Sequence, residues 1–178
     1  MRTHRNSFVL STLAASLALN ACTRPPETVA VPSAAPHAHE SAAAPAATAM
    51  PRILVHKSAS CGCCGSWVEH LRRSGFAVEV RNEDDIGPVK ARVGVPYGKG
   101  SCHTAEVGGY FIEGHVPAED IKRLLAERPA AKGLTLPGMP AGSPGMEMPD
   151  GRIDPYTVEL VNPDGSTAPF SRHGKTGS

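Results

Sequence analysis

The chain lacks any apolar run long enough to cross a bilayer, which takes about 20 residues. Phe8 to Leu19 is apolar but stops well short. It also lacks an excess of charge of either sign, with 18 basic against 17 acidic side chains. Removing residues 1–21 takes away Arg2 and Arg5 and no acid, which leaves a formal charge of −1. That balance excludes the electrostatic footprint of a nucleic-acid binder or of a surface drawn to anionic lipid. Residues 23–50 lack large apolar side chains almost entirely. They are rich in Ala and Pro, so they cannot bury enough surface to offset their ordering entropy, and they read as a disordered tether over 22–50.

The first residues have the form of an export signal: a positive start at Arg2 and Arg5, the apolar run, then Leu19-Asn20-Ala21-Cys22. A leucine three residues before a cysteine, with a small residue between, resembles a bacterial lipobox. Residues 1–21 are then a lipoprotein-type signal peptide, and lipidated Cys22 opens the mature chain. Asn20 is not a favoured residue in that motif, so ordinary cleavage near Ala21 is the alternative. The expected location is the periplasm, with a lipid anchor that touches the membrane without spanning it. Thr23, in place of an acid after Cys22, favours the outer membrane.

Pro51 to Phe170 should form one folded domain, followed by a disordered tail at 171–178. Strands are expected at 53–56, 76–80, 102–107 and 110–115. Helices are expected at about 61–74, 84–93 and from Pro117 to before Pro129. Gly108-Gly109 between two alternating runs signals a two-residue hairpin. The order strand-helix-strand-helix-strand-strand-helix predicts an α/β, thioredoxin-like domain with a mixed four-stranded sheet. Residues 133–149 look irregular. Tyr156 to Val161 and the turn Asn162-Pro163-Asp164-Gly165 predict a C-terminal hairpin extension.

Three of the five cysteines fall in Cys61-Gly62-Cys63-Cys64, where the first strand should turn into the first helix. Cys61 and Cys64 have C-x-x-C spacing at a helix N-terminus, whose partial positive charge lowers thiol pKa. A dithiol oxidoreductase needs only that pair. Cys63 is surplus: it offers a wrong partner in disulfide exchange but another ligand for a thiophilic ion. An oxidising compartment favours disulfides, and with Cys22 acylated the four remaining cysteines permit two bridges or one four-thiol metal site.

If Gly108-Gly109 forms the turn, Val107 pairs with Tyr110, and Cys102 falls opposite His115. Directly opposed residues have Cβ atoms about 4.5–5.5 Å apart. Cys102 and His115 should therefore converge on Cys61, Cys63 and Cys64, while His103 should point to the other face; a one-residue slip of register would instead make His103 the ligand. Met139, Met146 and Met148 lie in a Gly/Pro-rich loop with no helical or strand spacing. Thioethers suit Cu(I) and are poor ligands for zinc, so the loop shifts the expected metal toward copper, with Met146 joining the candidate ligands. Zinc could close a four-cysteine site, but one dense cluster plus a distant cysteine suits bridging thiolates better.

Cys61-Gly62-Cys63-Cys64, Ser101-Cys102-His103-Thr104-Ala105, Gly114-His115-Val116-Pro117 and the Pro-Gly-Met loop occur in an order that resembles the CopG-type periplasmic copper-resistance proteins. The resemblance spans about residues 51–150. It implies a thioredoxin-like fold, cysteine-bridged copper and a role in copper tolerance through copper redox interconversion, with Cys61, Cys63, Cys64 and Cys102 at the family's cysteine positions; the bridging thiolates themselves predict a multinuclear site that sequesters several Cu(I) ions. Copper ions and other periplasmic copper-handling proteins are the partners this reading expects. A thiol-disulfide oxidoreductase using Cys61 and Cys64, or a disulfide- or zinc-stapled structural domain, are the alternatives.

Overall fold

The computed structural model describes residues 50–174. The signal peptide, Cys22, nearly all of the tether and residues 175–178 lie outside that range. Strands β1 (Ile53–Lys57), β2 (Val78–Asn82), β3 (His103–Val107), β4 (Tyr110–Glu113), β5 (Gly133–Thr135), β6 (Tyr156–Val161) and β7 (Thr167–His173) alternate with helices α1 (Gly62–Arg73), α2 (Gly87–Val93) and α3 (Ala118–Glu127). No helix among the described residues is long and apolar enough to cross a membrane.

Up to α3 the elements follow the expected order. β1 lies parallel to β2 and antiparallel to β3, and β3 pairs with β4 through Val107 opposite Tyr110. Gly108 and Gly109 take φ of 56° and 91°, the positive values that a tight hairpin turn needs at both central residues. Pro88 sits in the first turn of α2, where its missing N–H costs nothing.

The expected four-stranded sheet with a separate hairpin is corrected. β5 pairs with β4 on one side and β6 on the other, giving one seven-stranded sheet of order β2-β1-β3-β4-β5-β6-β7. The stretch read as irregular after Pro129 thus supplies the joining strand. The tail is corrected too: β7 runs to His173, and the ring of His173 stacks on Tyr156 at 5.0 Å.

One face of the sheet carries the core. Ile53 and Val55 of β1, Ala105 and Val107 of β3 and Ile112 of β4 pack with Trp67 and Leu71 of α1 and Ile121 and Leu124 of α3, all buried. Those strand residues share one parity, so α1 and α3 cover that face. The opposite face is polar and meets α2. Arg92 there makes a two-pronged pair with Glu106. Lys90 donates to Glu113, whose carboxylate also accepts from Thr104 at 2.7 Å.

Candidate metal centre

α1 starts one residue after Cys61, which is its N-cap and makes no side-chain cap bond. The first turn therefore presents its orphan N–H groups and its cysteines together. The helical turn directs Cys64 inward, where it is fully buried, and leaves Cys61 and Cys63 half-exposed. Cys61 and Cys64 are joined by a disulfide, and Cys63 and Cys102 are free. Cys63 Sγ lies 3.6 Å from Cys61 Sγ, and Cys64 Sγ lies 3.8 Å from the Cys102 carbonyl oxygen. The sulfurs of Cys61, Cys63, Cys64 and Cys102 all fall within 4.8 Å of one another.

Cys102 and His115 meet as the register argument expects, with Cys102 Sγ 3.2 Å from His115 Nε2. The ladder itself stops at Thr104 opposite Glu113. Beyond it Gly114 takes φ of 77°, a conformation that side-chain-bearing residues rarely adopt, and this swings His115 toward Cys102. His115 Nδ1 donates to the Pro144 carbonyl at 2.8 Å. A carbonyl only accepts, so Nδ1 carries the proton and Nε2 presents its lone pair to Cys102. Burial lowers the His115 pKa and favours this neutral ring. A second hydrogen bond that fixes the tautomer is the usual support for a ligating histidine.

His103 overturns its expectation. It lies on the cluster side, fully buried, with Nδ1 3.5 Å from Cys102 Sγ and its ring 4.3 Å from Trp67 and 4.9 Å from His115. The physical reason is parity. His103 alternates with Ala105 and Val107 onto the face that α1 covers, and the cysteines sit at the end of α1. Cys102 and His115, of the other parity, reach the cluster because the backbone bends past the ends of the ladder. Cys102, His103 and His115 also bring three donor atoms within 4.8 Å of one another. His103 Nε2 is buried without a hydrogen-bond partner, and burial pushes the His103 pKa down to about 3. Burial likewise raises the Cys102 thiol, with Cys63 adding to the shift.

The methionine that reaches a cysteine is Met139, whose Sδ is 3.9 Å from Cys63 Sγ. Met146 instead closes its loop through the backbone, with its N–H on the Ser143 carbonyl and its carbonyl accepting from Gly142. The loop is clamped over the cluster by Pro144 on His115 and by the Ser101 hydroxyl on the Gly138 carbonyl at 2.6 Å. His103 and Met139 were thus undervalued from sequence. Counting parity from the α1-covered residues would have found His103. Nothing in the loop's spacing singles out Met139.

Four sulfurs and two imidazoles form two donor groups that share Cys102, and the Met139 thioether lies against Cys63. Soft thiolate and thioether donors select Cu(I), and imidazole suits copper and zinc alike, so the donors fit a soft cation once the Cys61–Cys64 bond is reduced.

Residues 99–146 match a family described as a protein of unknown function, DUF411. No curated protein matches the sequence. Two solved structures are similar to it, both of a copper resistance protein, CopG. Form 1 is 47% identical, covers 71% of this chain and 99% of its own, and superposes with a TM-score of 0.67. Form 2 is also 47% identical, covers 70% and 98%, and has a TM-score of 0.66. With that identity over nearly the whole of the solved chains, the protein belongs to the CopG-type copper-resistance family.

Proposed function

We propose that this is an exported copper-binding protein that holds several Cu(I) ions in a cysteine-bridged cluster and so supports copper resistance. The observation that carries the reading is the convergence of Cys61, Cys63, Cys64 and Cys102 within 4.8 Å, with Cys102 shared by a second group containing His103 and His115. A thiolate common to two donor groups is suited to bridging adjacent ions. Met139 takes the role that sequence reading assigned to Met146. The β1-to-α3 portion, with its β2-β1-β3-β4 order, is read as a thioredoxin-like core extended by β5, β6 and β7. Periplasmic location and a lipid on Cys22 belong to the same proposal and rest on the N-terminal sequence.

Bonded sulfurs are not thiolate ligands, so full loading requires two electrons from an external dithiol to open the Cys61–Cys64 bond. The same pair could accept two electrons from two Cu(I), which is the balance copper redox interconversion would need. The test of sequestration is an anaerobic Cu(I) titration of the reduced protein against a competing chelator, with zinc as control. Several coppers per chain and no competition from zinc are expected. An absence of tight Cu(I) binding, or full binding by Cys63→Ser, would overturn the reading.

The disulfide favours a second reading, a thiol-disulfide oxidoreductase in which half-exposed Cys61 is the attacking thiol and buried Cys64 resolves it. It expects insulin-reductase turnover that Cys61→Ser abolishes and Cys63→Ser leaves intact.

A further inference from the structure

The first turn of α3 buries a carboxylate that no lysine or arginine answers. Asp120 is 4% exposed, and among the described residues its only ionic partner is His173. Burying a carboxylate is costly unless a cation or hydrogen bonds compensate it, and the positive end of α3 offsets part of that cost. The rest comes from β7. Val158 pairs with Ser171 and Glu159 with Pro169, so Phe170 is an extra residue and the strand bulges there. A bulge re-aims the side chains beside it. Past it, Ser171 and His173 lie two positions apart on one face of the strand, and both reach Asp120 Oδ2. Ser171 Oγ donates to that oxygen at 2.7 Å, His173 Nε2 lies 2.7 Å from it, and Nε2 lies 3.0 Å from Ser171 Oγ.

One carboxylate oxygen, one hydroxyl oxygen and one imidazole nitrogen thus form a compact triangle. Its parts are held from outside: the Tyr156 ring stacks on His173 at 5.0 Å, and Arg123 of α3 donates to the Phe170 carbonyl at 2.7 Å. A cavity of about 260 Å³ lined by Pro155, Tyr156, Thr157, Arg172, His173 and Gly174 opens beside the imidazole and has room for water as a further ligand. Zinc binds nitrogen and oxygen at about 2.0–2.2 Å, which sets tetrahedral neighbours roughly 3.4 Å apart. The triangle needs to open by only about half an ångström to meet that spacing.

We propose that Asp120, Ser171 and His173 form a second metal site, for a divalent cation of borderline softness such as Zn(II) or Cu(II). The donors are nitrogen and oxygen without sulfur, a set suited to those ions and not to Cu(I). The cation takes the place of the proton on His173 Nε2, which leaves to solvent. The site shares no residue with the cysteine cluster, so it stands or falls apart from the copper reading.

The test uses the full chain carrying Cys22→Ser, Cys63→Ser and Cys102→Ser with the Cys61–Cys64 bond closed, so that no free thiol remains. Zn(II) affinity is read against a chromophoric chelator for this parent and for His173→Gln and Ser171→Cys made in it. The other histidines are common to all three proteins, so differences among them report this site. The parent should hold one Zn(II) here and melt at a higher temperature with it than without it. His173→Gln should weaken that binding by roughly tenfold or more, a loss typical even of residues that stand behind the ligands, and should lose the rise in melting temperature. Ser171→Cys puts a thiolate where the hydroxyl stood, so Zn(II) should bind more tightly. Co(II) in place of Zn(II) should then show a thiolate charge-transfer absorption that the parent lacks. Unaltered Zn(II) affinity in His173→Gln would overturn the proposal. So would the absence of that absorption from Ser171→Cys, which decides the matter even where His173→Gln does not fold.

Discussion

Gly145 tests how tightly the methionine loop is seated on the cluster. It has φ of 83°, and a Cβ built there would lie 2.8 Å from the Cys63 carbonyl oxygen and 2.8 Å from the Trp67 nitrogen. The loop therefore meets the α1 backbone at the only residue type that allows the approach. Gly145→Ala should incur about 1–2 kcal/mol for the left-handed backbone. Forcing a methyl into closed packing adds about 1–3 kcal/mol, and reduced freedom of the unfolded chain returns about 0.4–1 kcal/mol. Gly151 isolates the backbone component, having φ of 73° and nothing within 4 Å. Gly151→Ala should therefore cost about 1 kcal/mol or less, and Gly145→Ala about 2–4 kcal/mol. Urea denaturation of the metal-free protein reads the difference, which cancels the unfolded-state contribution. Because Pro144 holds the tautomer of His115, Gly145→Ala should also weaken metal binding while Gly151→Ala should not. Equal stability of the two variants with equal metal affinity would refute the claim that this loop is seated on α1.

His70 predicts a pH dependence. Its Nε2 accepts the Ala118 N–H at 3.1 Å and so supplies from α1 the cap that α3 lacks. Burial lowers its pKa below 6.5. The stabilisation is then complete above about pH 6.5 and is lost as pH falls through the interval down to the folded value, because the unfolded chain binds the proton first. Comparing wild type with His70→Gln by urea denaturation at pH 7.5 and 5.5 should show the wild type losing its advantage on acidification, and a constant difference would contradict the cap. Lys90→Met leaves the fully buried Glu113 without its cation. It should destabilise by about 3 kcal/mol, measurable as a drop in denaturation midpoint, and a change under 1 kcal/mol would show that Glu113 is held by Thr104 and Ser101 alone. His103→Leu removes the orphaned nitrogen. It should leave metal-free stability unchanged within about 1 kcal/mol, or raise it, since deleting an unsatisfied buried polar atom is neutral or favourable. Metal affinity should fall at least tenfold in the same variant, and unaltered affinity would confine His103 to the core.

The elements legible in the sequence were those with strong local signals. The 3.6-residue spacing of Cys64, Trp67, Val68 and Leu71 marked α1, all four being buried, and Gly108-Gly109 marked the hairpin and its register. β5 had no comparable signal. It is three residues long, too short for alternation to show, and its identity as a strand comes from β4 and β6 on either side. Missing it turned one continuous sheet into a sheet and an appended hairpin. The last strand was cut short for a similar reason, because its final contacts, His173 on Asp120 at 2.7 Å and on Tyr156, are with residues 53 and 17 positions away.

The cluster itself shows where strand parity stops being a guide. Sequence reasoning paired Cys102 with His115 correctly, but treated both as ladder residues and so sent His103 to the far face. In the structure the ladder ends two positions earlier on each strand, at Thr104 and Glu113. Within β3, parity decides which face meets α1, and His103, which still pairs with Lys57 of β1, obeys it. Outside the ladder, the bend at Cys102 and the left-handed Gly114 decide, and Cys102 and His115 follow those. Donors of both parities therefore collect around one end of α1, which no single strand face could provide. The candidate site forms where the strands end, so that some donors are placed by the sheet and others by the chain as it leaves the sheet.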